Sequence, residues 1–474
     1  MKYFIHTFGC QMNVHDSDRM GEVLRGHGFA QAESLEGADV VVFNTCSVRE
    51  KAEHKLRSEV GKLVPLKEAR PELVLVVAGC VAQQEGEKLL GRMKHVDLIV
   101  GPDNIPELPR LILEQKAGAI PMARTEFDLA APTFLSAVPQ AGKAPVSTFV
   151  TTMKGCDERC SFCIVPHTRG SERYRPYREI VGEVQRWVEA GVREITLLGQ
   201  TVDSYQDADL PPPETGDPDE SQFPHLLRRI AQDVPGLLRL RYTSPHPRHL
   251  TPSLARAHAE LSVLAEHVHM PVQSGSDRML RRMIRRYTRA EYIERVRRLQ
   301  AARPGLTLST DIIVGFPGET EADFAETLSL VEEVGFVSLF GFKYSPRPYT
   351  PALKLGDDVS ETEKSERLAR LFALAEAQGK AHLARLVGTR TKVLVEGDSK
   401  ADSDLGPTLQ GRSVRNEIVH VLGTGGADLV GHEIEVTITR AHRHSLLGDA
   451  DPTHLASLPR RTARAGRRAL AVVS

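Results

Sequence analysis

The stretch Lys154-Gly155-Cys156-Asp157-Glu158-Arg159-Cys160-Ser161-Phe162-Cys163 brings three cysteines together in one short segment. A C-x3-C-x2-C run supplies three thiolates from a single loop, enough for three irons of a cubic four-iron four-sulfur cluster, whereas a structural cluster uses four. The fourth iron would then stay open to a cofactor or substrate, as in catalytic metal sites. A zinc site, a disulfide or three unrelated buried thiols are the alternatives, although structural zinc sites favour paired C-x2-C spacings.

The composition is that of a globular protein without a strong overall charge. The chain has 474 residues, of which 41% are hydrophobic and 26% charged, and its net charge is -1. Any RNA binding would therefore depend on local basic patches rather than on a global field. Six cysteines are too few for a disulfide scaffold. The first residues become polar too early for a signal peptide, and no apolar run reaches the length of a membrane span. We expect a cytoplasmic protein with no membrane partner.

Three short apolar segments in the first third of the chain predict buried parallel strands: residues 3–7, 40–43 and 73–78. A cysteine follows each segment within a few residues, namely Cys10, Cys46 and Cys80. The carboxyl ends of parallel strands share one edge of a sheet, so we expect these three thiols to converge on a second three-thiolate cluster. The alternative is that they are small buried hydrophobic residues. Residues 1–116 are predicted as an N-terminal domain with a parallel α/β sheet.

Residues 117–142 are irregular and contain Pro121, Pro132 and Pro139, a pattern typical of an interdomain linker. This segment is either a flexible tether or a stretch that lies partly against a domain.

Alternating strand and helix patterns continue through residues 143–375 and predict a complete or partial parallel barrel. The cysteine loop and several polar residues fall where strands end, which is where such barrels gather their active sites. Gln200, Gln273, Ser274 and Asp311 offer hydrogen-bonding groups at these ends. The alternative for each one is a helix cap or an ordinary loop residue.

The C-terminal part changes to a β pattern, and residues 378–445 predict a small antiparallel barrel. Arg412, Arg415, Arg440 and Arg443 are candidates for phosphate contacts, although a purely structural barrel would also carry surface arginines. Residues 446–474 are predicted as a basic, disordered tail. In the central domain, the arginines 281, 282, 285 and 286 form either a solvated helix face or an RNA-facing patch.

Several motifs identify a family resemblance. The cysteine loop resembles that of the radical S-adenosylmethionine (SAM) enzymes. The motifs around the other cysteines resemble those of the methylthiotransferases. Among these, the MiaB-type members, which modify tRNA, most resemble the segment Cys46-Ser47-Val48-Arg49-Glu50-Lys51-Ala52. Four central motifs extend the resemblance: Leu197-Leu198-Gly199-Gln200, 269–276, 311–320 and 344–348. The C-terminal segment resembles the RNA-binding TRAM domain.

The resemblance implies a tRNA methylthiotransferase that adds a methylthio group to carbon 2 of N6-isopentenyladenosine at position 37. It implies two 4Fe-4S clusters as metal cofactors. Cys156, Cys160 and Cys163 would be the catalytic ligands of one cluster, which cleaves SAM to a 5′-deoxyadenosyl radical. Cys10, Cys46 and Cys80 would bind the other cluster, which carries or donates the sulfur. Gln200, Gln273, Ser274 and Asp311 would bind SAM. The implied partners are the tRNA anticodon stem-loop and an external electron donor, and we expect a monomer.

The sequence departs from the family pattern at two places. Thr201-Val202-Asp203-Ser204-Tyr205 stands where relatives have Asn-Val-Asn-x-Tyr, and Pro348-Tyr349-Thr350 stands where Pro-Gly-Thr is usual. Two alternatives in substrate stay open, threonylcarbamoyl-adenosine of tRNA and an aspartate of a ribosomal protein. A third alternative, of a different class, is a non-catalytic iron-sulfur protein that binds RNA.

Overall fold

The computed structural model describes residues 1–47, 50–130, 132–139, 142, 144–399, 408–423 and 429–458. In its N-terminal part, six parallel strands form one sheet in the order β2-β1-β3-β4-β5-β6. The strands are β1 Lys2–Phe8, β2 Ala30–Gln31, β3 Val40–Thr45, β4 Val74–Gly79, β5 Leu98–Val100 and β6 Met122–Arg124. The helices are α1 Gln11–Gly26, α2 Glu50–Gly61, α3 Val64–Ala69, α4 Cys80–Glu85, α5 Glu87–Arg92 and α6 Leu108–Lys116, with a 3-10 helix at Pro102–Glu107.

The central strands β3 and β4 are buried along their whole length. Their continuous apolar runs fit a parallel sheet that is covered on both faces. One hydrophobic cluster, which includes Phe43 and Leu75, packs on one face, and a second, which includes Val42 and Val76, packs on the other. The three predicted strands are therefore confirmed as neighbours in one sheet.

The segment predicted as a linker contributes to both domains that it joins. Its strand β6 pairs in parallel with β5 and forms one edge of the N-terminal sheet. Further along, Ala137 is fully buried and its backbone amide donates to Glu183 Oε1 over 3.0 Å. This stretch therefore packs against the central domain instead of acting only as a tether.

The central part contains six parallel strands in two three-stranded sheets, ordered β11-β10-β7 and β12-β13-β14. A bridge between Leu240 and Leu264 joins the two halves into a partial barrel. The strands are β7 Ser147–Thr151, β8 Met153–Lys154, β9 Arg173–Tyr174, β10 Glu194–Leu198, β11 Arg239–Tyr242, β12 His267–His269, β13 Thr307–Val314 and β14 Ser338–Lys343, with β8 and β9 forming a separate antiparallel pair.

The helices of this part cover the outside of the strands around one large hydrophobic cluster. Three of these helices begin with capping boxes, at Thr288, Thr320 and Ser360. The helices are α7 Val165–Arg169, α8 Tyr177–Glu189, α9 Phe223–Asp233, α10 Pro252–Glu260, α11 Asp277–Arg282, α12 Arg289–Ala302, α13 Glu321–Val334 and α14 Glu361–Arg385, with 3-10 helices at Val202–Ser204, Pro247–His249 and Pro351–Leu355.

The C-terminal part is a closed barrel in the order β15-β16-β17-β19-β18, which confirms the predicted small barrel. Its strands are β15 Arg390–Asp398, β16 Leu409–Ser413, β17 Ile418–Leu422, β18 Glu433–Ala441 and β19 Leu446–Ala450.

The barrel differs from the prediction in two respects. β17 and β19 pair in parallel, so the barrel is mainly but not wholly antiparallel. The predicted tail also begins too early, because β19 closes the barrel and the helix α15 Pro452–Ser457 follows it. The short β19 segment escaped prediction because only its barrel partners bury it. The tail arginines 460, 461, 464, 467 and 468 lie outside the described residues.

Arg239 joins the C-terminal barrel to the amino end of a central strand. This buried side chain at the start of β11 donates to Glu433 Oε1 over 2.9 Å and to the carbonyl oxygens of Ser413 and Lys392. The barrel therefore lies at the edge of the partial barrel opposite to the carboxyl ends of the strands. Across the described ranges, no helix combines the length and apolar character needed to cross a membrane.

Candidate functional site

The cysteine loop lies between β8 and α7, at the carboxyl edge of the central strands. Gly155 starts the loop with φ +81°, and a Cβ there would lie 2.0 Å from the carbonyl oxygen of Ser171. Only glycine fits this close approach of two backbone segments. The Gly155 amide donates to Gln200 Oε1 over 2.6 Å, which connects the loop to the end of β10.

The three thiols of the loop lie close to one another, with Cys156 and Cys160 buried and Cys163 half-buried. Burial raises the pKa of Cys156 to about 12, and its Sγ lies 2.9 Å from Thr201 Oγ1. Burial also raises the pKa of Cys163, with further increases from the neighbouring thiols Cys160 and Cys156. The structure therefore brings together the three cysteines that the spacing predicted as one ligand group.

Arg285 is a contact of this group that the sequence interpretation missed. Its side chain is buried and donates from Nη1 to Cys160 Sγ over 3.3 Å and from Nη2 to the carbonyl oxygen of Pro271. Of the four arginines from which a surface patch was predicted, Arg285 therefore does not belong to the surface. Helical spacing did not reveal this, because the residue takes part in the turn after α11 and not in the helix.

The second group of cysteines lies at the ends of three adjacent strands, as predicted. Cys10 follows β1, Cys46 follows β3, and Cys80 follows β4. The Cys46 amide donates to the carbonyl oxygen of Phe8 over 2.9 Å, which holds the first two strand ends together.

Glycines beside these cysteines allow close packing of the strand ends. A Cβ on Gly9 would lie 2.5 Å from Cys46 Cβ, and one on Gly79 would lie 2.2 Å from Asn44 Oδ1. A hydrogen bond with Cys46 lowers the pKa of Cys10 to about 6, whereas burial raises the pKa of Cys80.

Arg169 links the two cysteine groups. It is the last residue of α7, the helix that follows the first cysteine loop, and its Nε donates to Cys80 Sγ over 3.3 Å. Its Nη2 donates to Asp16 Oδ2 over 2.5 Å, so its charge is neutralised by a carboxylate of α1. Neither Arg169 nor Asp16 carried a sequence signal of its own, since the contact joins residues 153 positions apart.

Of the four residues predicted to bind SAM, Gln200 most clearly offers a free hydrogen-bond donor. Its Nε2 is buried and has no hydrogen-bond partner among the described residues. An unpaired donor in this position fits a ligand with a carboxylate or hydroxyl oxygen.

Gln273 and Asp311 are brought together by the backbone, because the Gln273 amide donates to the Asp311 carbonyl oxygen over 2.9 Å. Asp311 lies within β13 and not, as was predicted, at the end of a strand, because pairing with β14 continues past it. Its carboxylate is partly exposed and lies 3.3 Å from His269 Nε2. Ser274 has different surroundings, since its hydroxyl is fully enclosed and lies 3.3 Å from Thr327 Oγ1. Its hydroxyl thus supports the turn before α11. A role in SAM binding stays a prediction for all four residues.

The donor sets fit iron-sulfur clusters better than a single ion. Within the ranges that the structure describes, no three His, Cys, Asp or Glu side chains meet closely enough to ligate one metal ion. In a cluster, each thiolate binds a separate iron. Two groups of three soft thiol ligands, with buried arginine donors beside the sulfurs, are of the kind that iron-sulfur clusters require.

Most arginines predicted to contact RNA from the C-terminal barrel have partners within the protein. Arg412 lies 3.4 Å from Glu396, Arg415 donates to the Gly305 carbonyl oxygen, and Arg443 pairs with Glu376. In the described part of the chain, Arg440 has no ion-pair partner. Phosphate contact stays a prediction for the four, and Arg440 is the one whose charge is unpaired.

Comparisons with known families cover both halves of the site. The model of "Uncharacterized protein family UPF0004" matches residues 2–101, and the model of the Radical SAM superfamily matches residues 150–331. The UPF0004 range contains Cys10, Cys46 and Cys80, and the Radical SAM range contains Cys156, Cys160 and Cys163.

Similar curated proteins extend the match to the whole chain. A protein of Sorangium cellulosum named tRNA-2-methylthio-N(6)-dimethylallyladenosine synthase is 62% identical, over 100% of this chain and 99% of its own length. Proteins of the same name from Acidithiobacillus ferrooxidans and Geobacter metallireducens are 46% and 47% identical, each over 94% of this chain and over 96% and 97% of their own lengths.

A solved structure shows the same fold at low sequence identity. The radical S-adenosylmethionine methyltransferase TsrM from Kitasatospora setae superposes with a TM-score of 0.51 at 14% identity, covering 85% of this chain and 81% of its own. The likeness supports the arrangement of the strands around the cysteine loop.

Proposed function

The chain belongs to the tRNA-2-methylthio-N(6)-dimethylallyladenosine synthase family, and on this premise we propose that it adds a methylthio group to carbon 2 of N6-dimethylallyladenosine in tRNA. It is a radical SAM enzyme that uses an iron-sulfur cluster and SAM. The proposal extends to adenosine 37 beside the anticodon, to the anticodon stem-loop as the bound part of tRNA, to an external electron donor and to a monomeric enzyme.

The observation that carries this proposal is that one helix, α7, lies against a cysteine of each group. Arg169 belongs to the helix that follows Cys163 and donates to the thiol of Cys80. Insertion of sulfur and a methyl group into one carbon requires a radical source and a sulfur source near the same substrate atom. One helix that contacts both thiol groups supplies this proximity.

We assign Cys156, Cys160 and Cys163 to a 4Fe-4S cluster that binds SAM, and Cys10, Cys46 and Cys80 to a second 4Fe-4S cluster. When bound, the clusters and SAM would supply the one-electron chemistry that breaks an unactivated C–H bond and the sulfur that is added to the carbon.

The protein's own residues orient and tune these ligands. Gly155 and Gln200 hold the first loop against the end of β10. Arg285 and Arg169 place donors against two sulfurs, and the Thr201 hydroxyl lies 2.9 Å from a third; hydrogen bonds to sulfur would tune the potential of a bound cluster. Gln200 Nε2 and the Asp311 carboxylate offer a donor and an acceptor for the polar groups of SAM.

The C-terminal barrel is proposed to bind tRNA at a distance from the reacting base. Arg239 fixes this barrel to the amino end of the central strands, opposite to the cysteine loop. On this proposal Arg440, which belongs to the barrel, would contact a phosphate far from the target and add affinity without base specificity.

The function is tested in a bacterial strain that lacks its own methylthiotransferase gene. Expression of the chain should restore 2-methylthio-N6-dimethylallyladenosine, measured by mass spectrometry of tRNA nucleosides. Cys156→Ala and Cys10→Ala should each fail to restore it. Restoration of a methylthio derivative of threonylcarbamoyl-adenosine instead, or tRNA binding without any new nucleoside, would overturn the proposal.

The number of clusters is tested by iron analysis after anaerobic reconstitution. Two cubic clusters require about eight irons per chain. A variant with alanine at Cys10, Cys46 and Cys80 should retain about half of the iron, and so should a variant with alanine at Cys156, Cys160 and Cys163. Loss of all iron in both variants would contradict two independent sites.

A further inference from the structure

Tyr349 lies in a backbone conformation that tyrosine rarely adopts, beside the cysteine loop. Its φ is +67°, in the left-handed region that glycine occupies without a steric penalty. The residue is 56% exposed, so no packing in the core explains why an aromatic residue occupies this position. Strained residues of this kind concentrate at functional sites, which makes the exposed ring a candidate contact surface.

A second exposed ring lies next to Tyr349. His167 belongs to α7, and the centroids of the two rings are 5.6 Å apart with an angle of 40° between their planes. α7 follows Cys163 directly, and the Ala352 amide donates to the Ser161 carbonyl oxygen within the cysteine loop. The two rings therefore lie at the rim of the site that holds the first cysteine group.

The segment around the end of α11, which packs against the cysteine loop, carries exposed positive charge. The Ser161 amide and hydroxyl donate to the carbonyl oxygens of Met283 and Arg282, which places the turn after α11 against the loop. Arg281 and Arg286 on this segment are exposed, and in the described ranges neither forms an ion pair. Of the arginines from which an RNA-facing patch was predicted, these two remain available.

Exposed aromatic rings and exposed arginines beside the same loop are the combination that recognises single-stranded RNA. Bases that leave the stack pack on aromatic side chains, while arginines contact the phosphates. A protein partner that delivers electrons would also approach this rim, but neither the left-handed tyrosine nor the ring pair is needed for such docking.

We propose that Tyr349 and His167 form a stacking platform for a nucleobase next to the target adenosine, with Arg281 and Arg286 contacting the flanking phosphates. The proposal rests on the proposed function, which supplies a tRNA loop as the ligand. The platform would hold the neighbouring base while the target base turns toward the cysteine loop. It would therefore recognise an RNA loop with unstacked bases and not the target base itself.

The test compares Tyr349→Gly with Tyr349→Phe in the reconstituted full-length enzyme. Glycine suits the left-handed backbone, so the first variant should fold normally, and phenylalanine keeps the ring. Affinity for isopentenylated tRNA, measured by fluorescence anisotropy, should fall about tenfold in Tyr349→Gly and stay within about twofold of wild type in Tyr349→Phe. Phe372→Ala removes an exposed ring on α14 and should leave the affinity unchanged.

Two further measurements distinguish stacking on a neighbouring base from contact with the target base. The affinity for a tRNA without the isopentenyl group should fall by the same factor in Tyr349→Gly, because the ring contacts a neighbour of the target base. With 2-aminopurine at either neighbouring position, wild type and Tyr349→Phe should quench its fluorescence at one of the two positions, whereas Tyr349→Gly should not.

The arginines are tested through the salt dependence of binding. Arg281→Ala with Arg286→Ala should reduce the slope of log affinity against log salt by roughly 1 to 2, because two phosphate contacts are lost. An unchanged slope would show that these arginines do not contact the phosphates.

Unchanged tRNA affinity in a folded Tyr349→Gly would overturn the proposal. A loss restricted to isopentenylated tRNA would also overturn it, because the ring would then contact the target. If Tyr349→Gly binds tRNA normally but is reduced more slowly by a protein electron donor, the rim is a docking surface for that donor and the proposal is wrong. Failure of the proposed function itself would appear separately, as the absence of methylthio product from the wild-type enzyme.

Discussion

Arg285 Nη1 donates to Cys160 Sγ over 3.3 Å, although 125 positions separate the two residues in the sequence. The guanidinium is buried, and it also donates to Tyr287 Oη and to the Pro271 carbonyl oxygen. A fixed positive charge is therefore held against one ligand of the first cysteine group. A positive charge and a hydrogen bond at a cluster sulfur both stabilise the reduced form.

Replacement of Arg285 with methionine is expected to lower the reduction potential of the first cluster. Loss of one charge-assisted hydrogen bond should shift the midpoint on the order of 60 mV toward negative values. Redox titration followed by electron paramagnetic resonance measures the shift, after iron analysis has established that the cluster is present. Arg281→Met is the matched control and should leave the potential unchanged. An unchanged potential in Arg285→Met with full iron content would contradict this role.

Gly155→Ala is expected to prevent assembly of the first cluster. The added Cβ would lie 2.0 Å from the Ser171 carbonyl oxygen, so the loop backbone must move. Gly356→Ala is a close control, because Gly356 has φ +73° but no atom within 4 Å of the added Cβ. That variant should lose only about 1 kcal/mol of stability and keep its iron. Equal iron content in the two variants would show that the close approach at Gly155 is not required.

Arg239→Ala is expected to release the C-terminal barrel from the central domain. The variant removes donors to Glu433 and to three backbone carbonyl groups, and it leaves the partly buried Glu433 carboxylate with only the more distant ammonium group of Lys392, 3.7 Å away. Loss of such a pair costs about 3–5 kcal/mol. Limited proteolysis should therefore cleave the chain between the two parts much faster than in wild type. Arg440→Ala, which removes an unpaired surface charge, should be cleaved at the wild-type rate.

Glu319 should make stability depend on pH in a defined direction. Burial raises its pKa to about 7 from an ordinary value of 4.5, even though Arg367 and the Gly315 amide donate to its carboxylate. The folded state thus retains this proton to higher pH than the unfolded state does. The stabilisation is complete below about pH 4.5 and is lost as the pH rises to about 7.

The comparison with Glu319→Gln isolates this effect. Between pH 5.5 and 7.5, the melting temperature of wild type should fall relative to that of the variant, because only wild type loses the protonated carboxyl group. A constant difference across this range would contradict the raised pKa.

Much of the architecture could be predicted because its signals are local. The runs 40–43 and 73–78 became β3 and β4, since a continuous apolar run favours a strand buried on both faces. Segments without such a run were missed: β12 is only three residues long, and β19 is a strand because its neighbours in the closed barrel pair with it.

The sequence by itself determined the two groups of cysteines. The spacing from Cys156 to Cys163 confines three thiols to one loop whatever surrounds it, and the strand ends before Cys10, Cys46 and Cys80 predicted their position at one sheet edge. Both depend on short-range geometry, which the order of residues specifies directly.

Only the tertiary structure decided what lies around those groups. Arg285 became a contact of Cys160 and not a surface charge, Arg169 joined the two groups, and Tyr349 was exposed in a left-handed conformation beside His167. These contacts join residues that are far apart in the chain, and packing of whole helices and strands brings them together. No local sequence pattern predicts such contacts, because they form and stabilise the protein only when the domains are assembled.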